Sequence, residues 1–486
     1  MSYPLCSPNA GEETPVSKLL RPFLPLAAAA VAIVAASAAT PAVASSVATP
    51  ASALPALIPA RLAALQHVRT PPTAVSRVAA PSPNGSVPWL EQEILATDGI
   101  QEDTFGAAVA IDGAVAIISA PQPGSTTGGI PAGPGRAYIF RNEGGSWVQT
   151  DVLTADDGVA GDFFGYAVAI QGDTALVGAH FASVGGHAQQ GATYVFRYAG
   201  GTWTQTQKLV AADGTDQSYF GAAVTLDGDH AFVGAYAATI NGNFGQGAVY
   251  AYSGVTGESL QPSGEIINPD GVANDQFGYA VAAHGGSVMI GSPNTKVGDN
   301  AAQGAVFLYE DIGGSWTQAQ EIVAVDGVTN DAFGLSVSYD DLHALVGVPV
   351  GNGFLGEFYA FTLDAGTWTQ TQKILAPDGA TDIFYAVSVA LSGDRAVVTY
   401  PGYGSGQGRV DLFGLDAAGD WNLLQAYEHP SGDPADLFPY YGFSAGISGG
   451  TFLVGAYGRK VGDNLYQGAS YFYTRDDLFS DGFDGG

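Results

Sequence analysis

The sequence predicts an all-β protein: a seven-bladed β-propeller of four-stranded antiparallel blades, closed by an N-terminal strand at 89–95 that completes the last blade. Three observations carry that expectation. One phrase recurs: an aromatic-glycine pair, an alternating apolar run, a tight turn, a second apolar run and a small-residue stop. Its copies start at Phe105, Phe164, Phe220, Phe277, Phe333, Phe384 and Tyr441, 51 to 59 residues apart, and a fixed period of that size makes the repeat the fold. The 486 residues include 68 glycines and 23 tyrosines with only 13% charged side chains, a profile of many short strands and turns. The ends are also out of phase. The repeat region opens with a strand of the fourth kind at Trp89 and closes with one of the third kind at 469–473, so the first strand fills the vacancy in the last blade and seals the ring.

At the N-terminus, Lys18 and Arg21 precede the apolar run 23–39 and the small-residue site Ala42-Val43-Ala44, the pattern of a secretory signal over residues 1–44. An uncleaved anchor helix is the competing reading, and the run is short and alanine-rich for one. Residues 45–86 are rich in Ala, Pro, Ser and Val without periodicity and read as a flexible linker. The propeller is expected over 87–474. The one cysteine, Cys6, lies in the segment expected to be removed, so the mature chain has no disulfide and no thiolate metal site. A net charge of −30 argues against nucleic acid and anionic membrane surfaces as partners and suits cationic partners or divalent ions. No transmembrane span is expected after signal cleavage, and the ring is expected to be a monomer.

The copy beginning at Phe164 shows the four strands most clearly, over 166–170, 175–178, 192–197 and 203–209. Gly172-Asp173 and Gly200-Gly201 supply the left-handed backbone that two-residue hairpins demand. The fourth strand sets Trp203 and Leu209 among Thr and Gln, as a strand with one wet face requires. All six tryptophans, Trp89, Trp147, Trp203, Trp316, Trp368 and Trp421, fall at this fourth-strand position, with Leu260 in the remaining copy. They read as packing anchors between neighbouring sheets rather than as exposed sugar-stacking platforms.

Seven such copies resemble the FG-GAP repeat family, the propeller type of integrin α heads and of many secreted bacterial proteins. The resemblance covers 89–473. Phe105-Gly106, Phe164-Gly165, Phe220-Gly221, Phe277-Gly278 and Phe333-Gly334 match the first half of the motif, with Phe384-Tyr385 and Tyr441-Gly442 as variants. Ser119-Ala120-Pro121, Gly178-Ala179, Gly234-Ala235, Gly291-Ser292-Pro293, Gly347-Val348-Pro349 and Gly455-Ala456 match the second half, and Thr399-Tyr400-Pro401 is the weakest. In the family, calcium-binding copies carry an Asp-rich loop between first and second strands, because a hard cation needs six or more oxygens. Here those turns are as short as Asp112-Gly113 and Gly285-Gly286, so the family's calcium sites are not expected to carry over.

Antiparallel topology puts the tight first-to-second and third-to-fourth turns on one face and every long connection on the other, which makes the long-loop face the expected binding surface. Two loop families meet there. The acidic links entering each blade repeat Asp-Gly-x-x-x-Asp, as in Asp157 to Asp162, Asp98 to Asp103, Asp270 to Asp275 and Asp326 to Asp331. Capping of backbone amides is the leading reading of the second acid. Cation binding, Ca2+ included, by Asp270, Asp275, Asp326 and Asp331 is the other. The second-to-third links include two near-copies, Lys296, Asp299 and Asn300 in one and Lys460, Asp463 and Asn464 in the other. Their polar heads suit hydrogen bonding to a glycan or protein ligand, and turn chemistry explains them as well. His180, His187, His230, His284 and His343 show no metal-ligand spacing and read as surface or packing residues.

No nucleophile elbow, His-Glu-x-x-His or phosphate loop is present, and no catalytic residue is assigned. The function expected is that of a secreted or surface-displayed binding or adhesion module acting through the long-loop face. An extracellular polysaccharide hydrolase or lyase with acids at the channel mouth is the alternative, and a structural envelope component is a third reading. The acidic-aromatic tail 475–486 is either a sorting address or a frayed end.

Overall fold

The apolar runs of the repeat become strands because their β-branched and aromatic residues are stopped on both sides by glycine-bearing turns, and the runs are too short for helices. A computed structural model describes residues 75–78, 89–121, 133–376, 382–429, 436 and 438–475. The signal over 1–44, most of the linker and the tail beyond 475 lie outside the described residues. The described strands form seven antiparallel sheets. Blade 1 is Val109–Asp112, Val115–Ala120, Arg136–Glu143 and Ser146–Leu153. Blade 2 is Ala167–Gln171, Thr174–Ala179, Ala192–Ala199 and Thr202–Leu209. Blade 3 is Ala223–Asp227, His230–Ala235, Ala248–Ser253 and Gln261–Ile266. Blade 4 is Ala280–His284, Ser287–Ser292, Ala305–Asp311 and Trp316–Ile322. Blade 5 is Ser336–Tyr339, His343–Val348, Glu357–Asp364 and Thr367–Leu375. Blade 6 is Val389–Ser392, Arg395–Tyr400, Arg409–Leu415 and Trp421–Glu428. Blade 7 is Ser444–Ser448, Thr451–Ala456, Ala469–Arg475 and the N-terminal Trp89–Ile94.

The closing strand pairs with the third strand of blade 7 from Trp89 opposite Arg475 to Ile94 opposite Ser470. First strands abut around the ring, and that of blade 7 meets that of blade 1. Val75–Val78 adds a fifth strand outside Trp89–Ile94, with Val75 opposite Glu93 and Val78 opposite Leu90. Within the segment read as a flexible linker over 45–86, a Val-Ser-Arg-Val stretch at 75–78 thus pairs with the outer edge of that strand.

The core lies between blades. Ile117 and Ile139 of blade 1 pack with Val177, Phe196 and Trp203 of blade 2. At the seam, Ile118, Tyr138 and Trp147 of blade 1 pack with Ile94, Leu453 and Phe472 of blade 7, where Trp147 stacks on Phe472 with centroids 4.1 Å apart. Trp316 meets Phe232 of blade 3 edge-on at 4.9 Å. Trp147, Trp203, Trp316, Trp368 and Trp421 are thus inter-blade wedges.

The aromatic-glycine pair docks one blade on the next. Phe164 of blade 2 bridges Gly135 of blade 1, and Phe220, Tyr385, Tyr441 and Phe105 bridge Gly191, Gly356, Gly408 and Gly468 in the same way. Each aromatic but Tyr385 also meets a tyrosine of its own blade's third strand edge-on or nearly so, as Phe164 does Tyr194 at 5.4 Å and Phe333 does Tyr359 at 5.7 Å, while Tyr385 meets Tyr400 of the second strand at 5.2 Å. A Cβ on Gly178 would lie 2.0 Å from the Gly221 carbonyl, so the glycine of the second-strand stop is required by the pair of the following blade. In blade 6 the structure corrects the frame. Tyr385-Ala386, not Phe384-Tyr385, occupies the motif position, because Tyr385 bridges Gly356 and Ala386 donates its N–H to the Thr399 carbonyl at 2.7 Å. Ala386 adopts a positive φ of 65°, as glycine does in the other pairs, so the pair begins at Tyr385 and not at Phe384.

Candidate functional site

The acidic links resolve into two separate jobs. Their second acid turns back to a backbone amide three residues earlier: Val159 N–H donates to Asp162 at 2.9 Å, Val272 N–H to Asp275 at 2.8 Å and Val328 N–H to Asp331 at 2.6 Å. Burial pushes the Asp275 carboxyl up to about 6 against the pull of that amide, and raises Asp162 and Asp331 likewise. The first acid serves the third and fourth strands instead. Asp157 accepts from Tyr194 Oη at 2.9 Å and Lys208 Nζ at 2.6 Å, Asp98 from Arg136 and Tyr138, and Asp326 from Lys373 Nζ at 2.8 Å. Asp270 is exposed, and blade 4 carries Phe307 where blades 1 to 3 carry a tyrosine. Among the described residues no three His, Cys, Asp or Glu side chains are gathered to share a metal ion.

The second-to-third links fold as small hairpins with Val297 bridging Asn300 and Val461 bridging Asn464. Asn300 Nδ2 donates to Gln303 Oε1 at 2.8 Å and to the Gly327 carbonyl at 3.0 Å, and Asn464 Nδ2 to Gln467 Oε1 at 2.7 Å. Gln303 in turn donates to the Ala324 carbonyl. A Cβ on Gly327 would meet Gln303 Nε2 at 2.5 Å, and Gly99, Gly214 and Gly271 stand the same way to Gln467, Gln190 and Gln246. Each such glutamine therefore lies over the Asp-Gly turn of the following blade and locks the two loop families together. Lys296, Asp299 and Asp463 are exposed at the hairpin tips, while Lys460 donates its N–H to the buried Asp436.

Sequence reasoning missed a different group. Residues flanking the aromatic-glycine pair and residues just after the second strand meet where the two innermost strands of each blade reach the long-loop face. In blades 2 to 4 those positions hold Phe163, Tyr166, His180, Phe181, Tyr219, Tyr236 and Tyr279. Their rings form one chain of contacts: Tyr166 to His180 at 3.7 Å, His180 to Phe181 at 4.0 Å, Phe163 to Phe181 at 5.2 Å, Phe181 to Tyr219 at 5.4 Å, Tyr219 to Tyr236 at 5.4 Å and Tyr236 to Tyr279 at 5.3 Å. In blade 7, Tyr440 stacks on Tyr457 at 5.3 Å and Phe443 meets Tyr457 at 4.5 Å. The corresponding places in blades 1 and 5 are Ala107, Leu335 and Pro349. His180 is buried within the arc, which lowers its imidazole to about 3, and the other rings are half-buried. Burial and neighbouring phenols raise Tyr166 and Tyr236 and burial alone raises Tyr219, with no ionised group contributing to these three; burial, then Tyr166, raises Tyr279. The available signal was an aromatic at a repeated position in some blades and not in others.

The sequence profile of the FG-GAP repeat family matches residues 89–140, 147–196, 203–252, 263–309, 316–361 and 368–409, more than half of the chain. The chain belongs to the FG-GAP repeat family. The matched segments run from a fourth strand through the third strand of the following blade, the same phase in which Trp89–Ile94 closes this ring. No curated protein matches the chain significantly. A crystal structure described provisionally as a 6-phosphogluconolactonase from Bacteroides uniformis is similar at 13% identity and a TM-score of 0.47, over 71% of this chain and 90% of that one; no conclusion about activity follows from so loose a likeness. Among the described residues no helix is long and apolar enough to cross a membrane.

Proposed function

We propose that this FG-GAP propeller is a secreted or surface-displayed binding module whose protein or glycan partner sits on the long-loop face, over the aromatic mouth of the ring. One observation carries the reading. In a repeat protein the positions that recur are architecture, and here the acids, glutamines and glycines of that face recur and hold one another. The aromatic arc obeys no sevenfold rule, stays half-exposed and has no counterpart in blades 1 and 5, which is how a ligand-selecting surface departs from its scaffold. The signal-like pattern ending at Ala42-Val43-Ala44 supports export.

The test is to apply the labelled full chain to protein and glycan arrays, with and without calcium, beside a Tyr219→Ala, Tyr236→Ala double variant. The expected result is a reproducible ligand whose signal falls at least about tenfold, near 1.4 kcal/mol, in the variant. Silence on both arrays, or equal signals from both proteins, would overturn the proposal.

A further inference from the structure

We propose that the arc of blades 2 to 4 is a carbohydrate subsite that stacks the rings of a neutral oligosaccharide; this rests on the long-loop face being the binding face and names its ligand class. A pyranose shows flat C–H faces edged by hydroxyls, so its site needs aromatic faces for the first and hydrogen-bonding groups for the second. The arc offers both. Tyr166, Tyr219 and Tyr236 are half-buried, so part of each ring is open to solvent, and among the described residues their hydroxyls have no hydrogen-bond partner. His180 Nδ1, buried among them, is also without one.

Charge chooses between ligand classes. A phosphate or uronate would call for a cation nearby, and an ammonium or guanidinium group for a carboxylate. Tyr166, Tyr219 and Tyr236 feel only burial and neighbouring phenols, whereas Tyr138, Tyr194 and Tyr250 each feel a carboxylate of the acidic links. A neutral ligand complements the arc, although the chain as a whole carries −30. Length points the same way. Phe181, Tyr219, Tyr236 and Tyr279 follow one another at 5.4, 5.4 and 5.3 Å across three blades, a run wide enough for more than one sugar ring.

The experiment titrates the full chain by calorimetry with neutral hexasaccharides of glucose, mannose, galactose and N-acetylglucosamine, and with a lysine-rich peptide, at low and high salt. At least one hexasaccharide should bind with a Kd that salt leaves unchanged, because no ion pair is involved. Tyr236→Ala should weaken it by at least about tenfold, Tyr219→Phe, which keeps the ring, by only a few-fold, and Asp299→Ala not at all. Retained melting temperatures certify the variants, and Tyr219→Phe keeps the test open if the alanine variant does not fold. The proposal is overturned if no hexasaccharide binds, if salt abolishes binding, or if Tyr236→Ala binds as well as the parent. A protein ligand found on the arrays while every sugar fails would sink the carbohydrate assignment and leave the binding face standing.

Discussion

His180 and Asp275 both belong to the long-loop face, and acid acts on them in opposite senses. Burial lowers His180 from 6.5 to about 3, so between those values the unfolded chain takes up a proton that the folded chain refuses, and stability falls as pH falls from 6.5 toward 3. Asp275 is raised from 3.8 to about 6. Its folded form holds a proton the unfolded chain has lost, so its contribution is present below 3.8 and disappears as pH rises through 6. His429, lowered to about 3 by burial and by Arg459, adds to the first effect. Each histidine weighs about 1.4 kcal/mol per pH unit, and substituting His180 alone isolates its share. In denaturant titrations between pH 6.5 and 4.5, His180→Phe should therefore lose about 2 kcal/mol less stability than the parent. An unchanged acid limb would show that His180 is protonated or solvated in the fold. The sequence placed His180 among surface or packing residues but could not reveal its surroundings, because Tyr166 and Phe181 are near it in sequence while Tyr219 comes from the following blade.

At the scale of the strand, the outermost strands are tied by a device that the sequence displayed and only the structure explained. Gln320 of blade 4 donates to the Trp368 carbonyl at 2.8 Å and accepts the Trp368 N–H at 2.9 Å, so one side-chain amide replaces a missing peptide partner across two blades. Gln372 does this for Trp421, Gln207 for Leu260 and Gln92 for Trp147. The Trp-x-x-x-Gln spacing at Trp316, Trp368 and Trp203 looked like the wet face of an alternating strand, since the partner lies about a full repeat away. Asp151 and Gly264 hold the same position in blades 1 and 3 and make no such pair. A Cβ at Gly264 would press on Trp316 at 3.0 Å. Gln372→Ala should cost about 1–2 kcal/mol in chemical denaturation, since it strands a donor and an acceptor at a half-buried edge. Gly264→Gln should fail to gain that amount, because its side chain would collide with Trp316 first. A cost near zero for Gln372→Ala would mean that water replaces the clasp fully.

At the scale of the whole ring, the sequence carried the architecture because seven copies in register leave few alternatives, and the phase mismatch between Trp89 and 469–473 named the seam. It did not carry the arc, because an arc is a property of non-repeating side chains brought together by closure. Closure itself is the testable claim. Trp89–Ile94 contributes a full ladder to the third strand of blade 7, the Gln92 clasp to Trp147, and Ile94 to the core shared by blades 7 and 1. A chain beginning after Thr97 would expose the edge of Ala469–Arg475 and remove the strand that joins the two ends of the repeat region in one sheet. Its melting temperature should drop by roughly 10 °C or more, about 8 kcal/mol for a domain of this size, with aggregation through the open edge. A synthetic peptide spanning 86–97, added in trans, should restore part of the loss, because it pairs with the edge of Ala469–Arg475 that the truncation leaves open. A chain beginning at residue 87 should fall by only a few degrees, since it loses Val75–Val78 but keeps the seam. Equal melting of the two truncations would mean that the ring is held by its inter-blade cores alone, and that the N-terminal strand decorates blade 7 without closing it.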